Sequence, residues 1–298
     1  MRPASPGMPF RPDREHARRM SAFALALVLS SAFLHAIWNA LVKAAGDRAA
    51  TLAAVSLMHV LAGLVLVLIA PLPARESWPS LLASTILHYG YYYLLFHAYR
   101  LGDLSQVYPI SRGMAPALVA VGAFLLADEA LTPAGWGAIA AVSAGIGLLA
   151  VQRGAAHADP LAIGVAATLG LTIAAYSVAD GIGVRLAGNP LSYMGWLFLL
   201  ETPVIAVILL PRWRNGHPVD WSMFRRGLLG GLLAVAAYGV VLYAATIAPI
   251  AAVSAVRESS VVMAALIGVL LFGERPWRGR IAAASIVAAG VTTLAWIG

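Results

Sequence analysis

Along this chain apolar residues run in long blocks instead of alternating, and clusters of proline, glycine and charge interrupt them at 45–47, 71–79, 101–103, 128–133, 153–160, 185–190, 211–220, 248–249 and 274–280. Each block is close to the ~20 residues a helix needs to cross a ~30 Å hydrocarbon core, and none shows the period-two alternation of a barrel strand. The pattern predicts an all-α integral membrane protein with ten transmembrane helices near 21–43, 50–71, 79–100, 104–127, 133–152, 160–184, 190–211, 222–246, 249–272 and 277–297. The connections are short, and no soluble domain fits between the spans.

Two stretches repeat. Laying 109–150 over 254–295 puts Arg112 on Arg257, Glu129 on Glu274, Gly145 on Gly290, and Leu149-Ala150 on Leu294-Ala295. Matched Ala and Leu carry little weight in so apolar a chain, but only 11% of residues are charged, so two charged coincidences in one ungapped frame are informative. The chain reads as two copies of one membrane unit, 21–153 and 157–298.

Composition agrees with the pattern: 61% of residues are hydrophobic and mean hydropathy is +0.83, outside the range of soluble domains. Residues 1–20 differ, being rich in Pro and Arg without an apolar period, and are expected to form a disordered basic tail. The following run is too long for a secretory signal and lacks a small-residue cleavage site. With no Cys, disulfides and thiolate chemistry are excluded. The only lysine, Lys43, follows Val42, so no Gly-Lys-Ser/Thr phosphate loop exists. No cofactor or metal is implied, and transport energy is expected from an ion gradient or a partner. The net charge of +7 lies mostly in tail and loop arginines and suits anionic headgroups better than nucleic acid.

Polar residues inside the spans are unevenly distributed. Span 1 carries His35, Trp38, Asn39 and Lys43 on one face. Span 3 carries Tyr89, Tyr92, Tyr93, His97 and Arg100, and span 4 places Tyr108 and Arg112 one turn apart. Span 6 pairs Tyr176 with Asp180, span 8 adds Tyr238 and Tyr243, and span 9 adds Ser254, Arg257, Glu258 and Ser259. Spans 2, 5 and 10 carry almost nothing polar. This segregation predicts an inner ring of spans 1, 3, 4, 6, 8 and 9 around a wet central cavity. Small residues at Gly137, Ala141 and Gly145 in span 5, and Ala282 to Ala284, Ala288 and Ala289 in span 10, predict close helix contacts within the bundle.

Arg112 and Arg257 lie about eight residues into their helices, roughly 12 Å deep. A charge there costs about 2.5–3.5 kcal/mol on insertion scales and needs a counter-charge, water or a ligand. Asp180, Glu201 and Glu258 are candidate counter-charges. Glu258 is expected to serve Arg257 poorly, because adjacent side chains diverge around a regular helix. Two readings stay open: permanent structural ion pairs, or cavity-lining groups that meet a ligand. Glu201, beside Pro203, reads either as a proton carrier or as an arginine's partner.

The repeat, with Glu129-Ala-Leu-Thr after span 4, Glu274-Arg-Pro after span 9 and Gly145 or Gly290 late in the next span, resembles the EamA family of the drug/metabolite transporter superfamily. The segment His35-Ala-Ile-Trp-Asn-Ala-Leu-Val-Lys43 is similar to a subgroup associated with phosphonate-utilisation genes. The resemblance implies ten helices in two inverted five-helix repeats around a central cavity and alternating access. An odd number of helices per repeat inverts the second copy.

The expected function is a secondary active transporter, an exporter of a small polar or amphipathic metabolite with an anionic group, such as an amino acid or organophosphonate, and not an enzyme. The expected substrate-binding residues are His35, Trp38, Asn39, Tyr93, His97, Tyr108, Arg112, Tyr176, Asp180, Tyr238, Arg257 and Glu258. Expected partners are that small molecule and the lipid bilayer, with a homodimer left open. Two alternatives belong to other classes: a membrane-embedded enzyme of lipid headgroups, and a non-transporting partner subunit. The resemblance places the chain in a bacterial inner membrane with cytoplasmic termini. In that orientation Lys43, Arg48, Arg100, Arg153, Arg212, Arg214, Arg225, Arg226, Arg275, Arg278 and Arg280 fall outside, whereas the positive-inside rule favours the opposite arrangement.

Overall fold

Acidic and amide side chains followed by helix formers or proline start several helices. Asp47 accepts from Ala50 N at 3.0 Å, Asp159 from Leu161 N at 2.8 Å and Asn189 from Leu191 N at 2.9 Å. In the last two, proline follows directly, where its missing N–H has no intrahelical partner to lose. A computed structural model describes residues 20–43, 47–101, 104–152, 159–216, 220–272 and 277–297. These form α1 (Ala22–Lys43), α2 (Arg48–Ile69), a 3-10 turn (Arg75–Ser77), α3 (Trp78–Leu101), α4 (Leu104–Leu126), α5 (Pro133–Gln152), α6 (Pro160–Leu186), α7 (Pro190–Leu199), α8 (Thr202–Arg214), α9 (Trp221–Ile247), α10 (Ile250–Glu258), α11 (Ser260–Phe272) and α12 (Trp277–Ile297). No strand occurs among the described residues.

Eight stretches among them are long and apolar enough to cross a membrane. The third predicted span has the length, at 24 residues, but its tyrosines and histidines lower its hydropathy. The seventh and ninth spans are each broken in two. The break at 200–201 leaves a stretch, Pro190–Arg214, that still qualifies, whereas α10 and α11, at 9 and 13 residues, are each too short alone. Large apolar side chains such as Leu68, Ile69, Val207 and Trp296 stand exposed on the exterior, the surface a lipid solvent requires.

Corresponding spans of the two halves cross at glycines. On α5, a Cβ at Gly145 would lie 2.6 Å from Val287 Cγ2 and 3.0 Å from the Ala283 carbonyl; on α12, one at Gly290 would lie 2.7 Å from the Ala138 carbonyl. As numbers fall along α5 from 145 to 138, they rise along α12 from 283 to 290, so the two helices run antiparallel. Gly63 of α2 and Gly195 of α7 form a second antiparallel crossing, with Gly63 meeting Gly195 O and Gly195 meeting Leu66 and Val67. The small-residue faces of spans 5 and 10 thus join helices within one chain.

Around these crossings, α1 packs on α9 and α3 on α6, pairs that exchange when the halves are exchanged. The α2–α9 pair is closely zipped: a Cβ at Gly227 would meet the Thr51 carbonyl at 2.8 Å, and one at Gly231 would meet Val55 Cα at 2.9 Å. At one end of the bundle Arg185 binds Glu129 at 2.7 Å and the Ala245 and Ala248 carbonyls, while Glu129 accepts from Ile250 N and Ala251 N. At the other, Asp47 pairs with Arg212. Both clamps tie helix ends together, and the helices between them position the buried polar groups.

Candidate functional site

Arg257 and Glu258 end α10, and the chain turns at Ser259 before α11 begins. The last turn tightens there, with Ser259 N bonding Val256 O at 3.1 Å. This brings the two adjacent side chains together: Arg257 Nε and Nη2 donate to Glu258 Oε1 at 3.2 and 2.9 Å. The expected divergence of neighbours holds for a regular helix, and it fails at this break. From α4, Arg112 Nη1 donates to the same oxygen at 2.9 Å. The arginines are each 4% exposed and Glu258 is wholly buried. Glu258 Oε2 has no hydrogen-bond partner.

Pro116, one turn beyond Arg112, has no N–H to return to the Arg112 carbonyl. Arg112 Nη2 lies 2.6 Å from His35 Nε2, and Trp38 Nε1 donates toward His35 Nδ1 at 3.1 Å. A neutral imidazole accepts at one nitrogen and carries its proton on the other. The His35 ring therefore cannot accept from guanidinium and indole together. An incoming acceptor would relieve that excess of donors.

Arg257 Nη2 also donates to Ser177 Oγ at 3.2 Å. Next to Ser177, one turn along α6, Asp180 takes the Tyr193 hydroxyl at 2.9 Å and the Tyr238 hydroxyl. Ser177, Asp180, Tyr238, Ser254 and Arg257 line a cavity of about 20 Å³, room for one water molecule. The Ser254 hydroxyl on its wall lacks a partner. The Tyr176 ring packs at 4.2 Å on His88, which also contacts Tyr238 at 5.9 Å.

Of the predicted residues, His35, Trp38, Arg112, Tyr176, Asp180, Tyr238, Arg257 and Glu258 are gathered here. Asn39 is adjacent, but its amide donates to the His35 carbonyl of its own helix at 2.8 Å. Tyr93 and His97 stand apart: Tyr93 is 63% exposed on the same stripe of α3 as Leu82 and Ile86, and its ring packs on His97. The tyrosine that turns inward is its neighbour Tyr92. The side chains of Tyr108, Lys43 and Arg100 lie outside the described residues, as does Glu274.

The arrangement adds residues that the sequence reading passed over. Span 2 is not polar-free: His59 of α2 sits 2.8 Å from Glu201 Oε2, so among the described residues Glu201 is partnered by a histidine and not by an arginine. Its presence in an otherwise apolar span was the available signal. His88 and Ser177 were equally visible as polar positions. The role of Glu129 as a cap for α10, by contrast, comes from packing between distant segments.

A model of the EamA-like transporter family matches residues 22–151 and again 160–296. No curated protein matches the chain. Among solved structures 29 chains match; one, titled only "Crystal structure of protein", is 18% identical with a TM-score of 0.70, covering 92% of this chain and 96% of that one. That likeness concerns the fold. The doubled family match, laid over a buried polar cluster within apolar helices, shows that the chain belongs to the EamA-like transporter family of the drug/metabolite transporter superfamily and is a multi-pass membrane transporter.

Proposed function

We propose that the protein is a secondary active transporter, an exporter of small metabolites that carry an anionic group, such as amino acids or organophosphonates, working by alternating access in a bacterial inner membrane. The observation that carries this reading is the convergence of Arg112 and Arg257 on Glu258 Oε1. Two guanidinium groups from matching positions in the two halves already hold one carboxylate oxygen, and the fork geometry of guanidinium suits carboxylate and phosphonate oxygens. A substrate anion would take the place Glu258 fills in the closed protein. It would also accept from the donor that His35 cannot serve.

The antiparallel crossings of α5 with α12 and α2 with α7 support inverted repeats. In such a fold, exchanging the contacts of the two halves generates a second gate state. A void of about 20 Å³ is too small for such a metabolite, so in this reading substrate entry requires helices to separate. Uptake into proteoliposomes tests the reading: Arg112→Ala and Arg257→Ala are expected to abolish accumulation of the anionic metabolites that wild type moves. Unchanged uptake by folded variants would remove the arginines from the substrate site.

A further inference from the structure

A second buried polar cluster lies outside the arginine site. Glu201 occupies the break between α7 and α8, directly before the first residue of α8, yet its side chain makes no capping bond there. It turns instead toward α2 and α3, where Oε2 lies 2.8 Å from His59 Nδ1 and accepts from the Tyr92 hydroxyl at 3.2 Å. Tyr89 donates to the carbonyl of Leu200, in the same break. The His59 ring stacks on Phe198 at 5.0 Å, and its Nε2 is buried without a partner. Glu201 and His59 are 6% and 8% exposed.

The charge count here differs from that at Arg112. Among the described residues no arginine or lysine pairs with Glu201. The titratable groups facing it are His59 from α2, and Tyr89, Tyr92 and His88 from α3. Tyr238 of α9 contacts Phe198 and His88 but gives its hydroxyl to Asp180, as does Tyr193 of α7. Arg212, at the far end of α8, pairs with Asp47. With a neutral imidazole and an ionised carboxylate, the cluster would hold one uncompensated negative charge in a low-dielectric interior, which is strongly unfavourable. One added proton, on Glu201 or on His59, makes it neutral overall. Hard metal cations prefer several oxygen donors, and an imidazole nitrogen beside one carboxylate suits a proton better.

We propose that the His59–Glu201 pair is a proton-binding site that couples transport to the proton gradient. The closed packing of α2, α3 and the α7–α8 break holds one proton between Glu201 Oε2 and His59 Nδ1. Opening of the break to water on one side releases it, and the unpartnered His59 Nε2 offers the route by which another enters from the opposite side. Nothing is oxidised or reduced; one proton is taken from one aqueous compartment and delivered to the other. The proposal rests on the transporter reading but not on the identity of the substrate.

Infrared titration of the purified protein in lipid nanodiscs tests the site without a substrate. Bands that Glu201→Gln removes are expected to change between mildly acidic and mildly alkaline pH, and His59→Gln is expected to convert them to the carboxylic-acid form over more of that range. Tyr92→Phe, which keeps the ring, is a second variant expected to shift the transition. Bands of Glu201 that stay constant across the range would overturn the proposal, as would a sodium-induced rise in melting temperature that wild type shows and Glu201→Gln lacks. In proteoliposomes given a mixture of radiolabelled amino acids, wild-type uptake is expected to differ with and without an imposed pH gradient, and the two rates to become equal in Glu201→Gln. A gradient response that persists in that variant overturns the coupling role and leaves the arginine site intact. If wild type moves none of these compounds, the substrate class fails and the infrared titration alone decides the proton site.

Discussion

Arg112 and Arg257, 145 positions apart in the aligned repeats, both place a guanidinium nitrogen 2.9 Å from one oxygen of Glu258. The carboxylate is wholly buried, so its charge, and not solvent, separates the two cations. Removing it is therefore expected to be worse than removing either cation. Glu258→Gln keeps the shape but leaves two guanidinium groups facing a neutral amide, with an expected loss of about 3–5 kcal/mol. Arg112→Met leaves the Arg257–Glu258 pair intact and should lose less. Thermal melting of the purified variants checks the order, and a Glu258→Gln protein as stable as Arg112→Met would show that the carboxylate does not balance the cluster.

Sequence reasoning reached the arginines and named Glu258 as a candidate counter-charge, but expected it to serve Arg257 poorly, and the reason is local. In a regular helix, neighbours point about 100° apart, and the break at Ser259 cancels that rule. The run Tyr91-Tyr92-Tyr93 shows a related limit: three consecutive tyrosines sweep about 200° around α3, so no periodicity says which one faces inward. Packing against Glu201 selects Tyr92, and Tyr93 is left outside. What composition and punctuation could reveal, they did: the Asp-Pro and Asn-Pro helix starts, the apolar blocks, and the repeat frame that puts Gly145 and Gly290 at one crossing.

That crossing makes a sharp stability prediction. A Cβ at Gly145 would press on Val287 and the Ala283 carbonyl, and one at Gly290 on the Ala138 carbonyl, whereas Gly147, one half-turn from Gly145, has nothing within 4 Å. Gly145→Ala and Gly290→Ala are expected to destabilise by about 1–3 kcal/mol through overpacking. Gly147→Ala should stabilise by about 0.5–1 kcal/mol, because alanine is the better helix former. Equal melting temperatures for Gly145→Ala and Gly147→Ala would contradict the crossing.

Glu129 and Arg185 should matter through helix ends more than through their mutual attraction. Glu129 takes the first N–H groups of α10, where Pro249 supplies no side-chain cap, and Arg185 takes carbonyls at the end of α9. Each charge thus faces the favourable end of a helix dipole. Glu129→Ala is expected to cost about 2 kcal/mol, the upper range for a lost cap, and Glu129→Gln less, since an amide oxygen can still accept. Denaturation of the two variants in the same detergent separates a capping role from a purely ionic one, which would make them equally unstable.

The two interfaces exchanged by the halves are built differently, and this points to which one opens. Between α2 and α9, Gly227 and Gly231 bring backbone against backbone, and Ala54 is fully buried there. Between α3 and the α7–α8 break, Leu81 and the Trp78–Trp196 rings pack in an apolar cluster with Tyr193, Leu197 and Phe198, and the Tyr89 and Tyr92 hydroxyls bond the Leu200 carbonyl and Glu201. In the proposed alternating-access cycle, the α2–α9 seam, where backbone contact at glycine leaves no slack, would be the gate that is shut here and that separates as the cycle advances. Because the chain has no native cysteine, a single thiol from Ala54→Cys reports on that seam alone. It is expected to resist a membrane-impermeant maleimide in the otherwise unaltered protein. Gly231→Leu, which wedges a side chain against Met58 and Val55, should make the same thiol reactive at a cost of about 1–3 kcal/mol in stability. If the wedge lowers stability and the thiol stays protected, the seam is a fixed structural joint and the opening lies between α3 and α7.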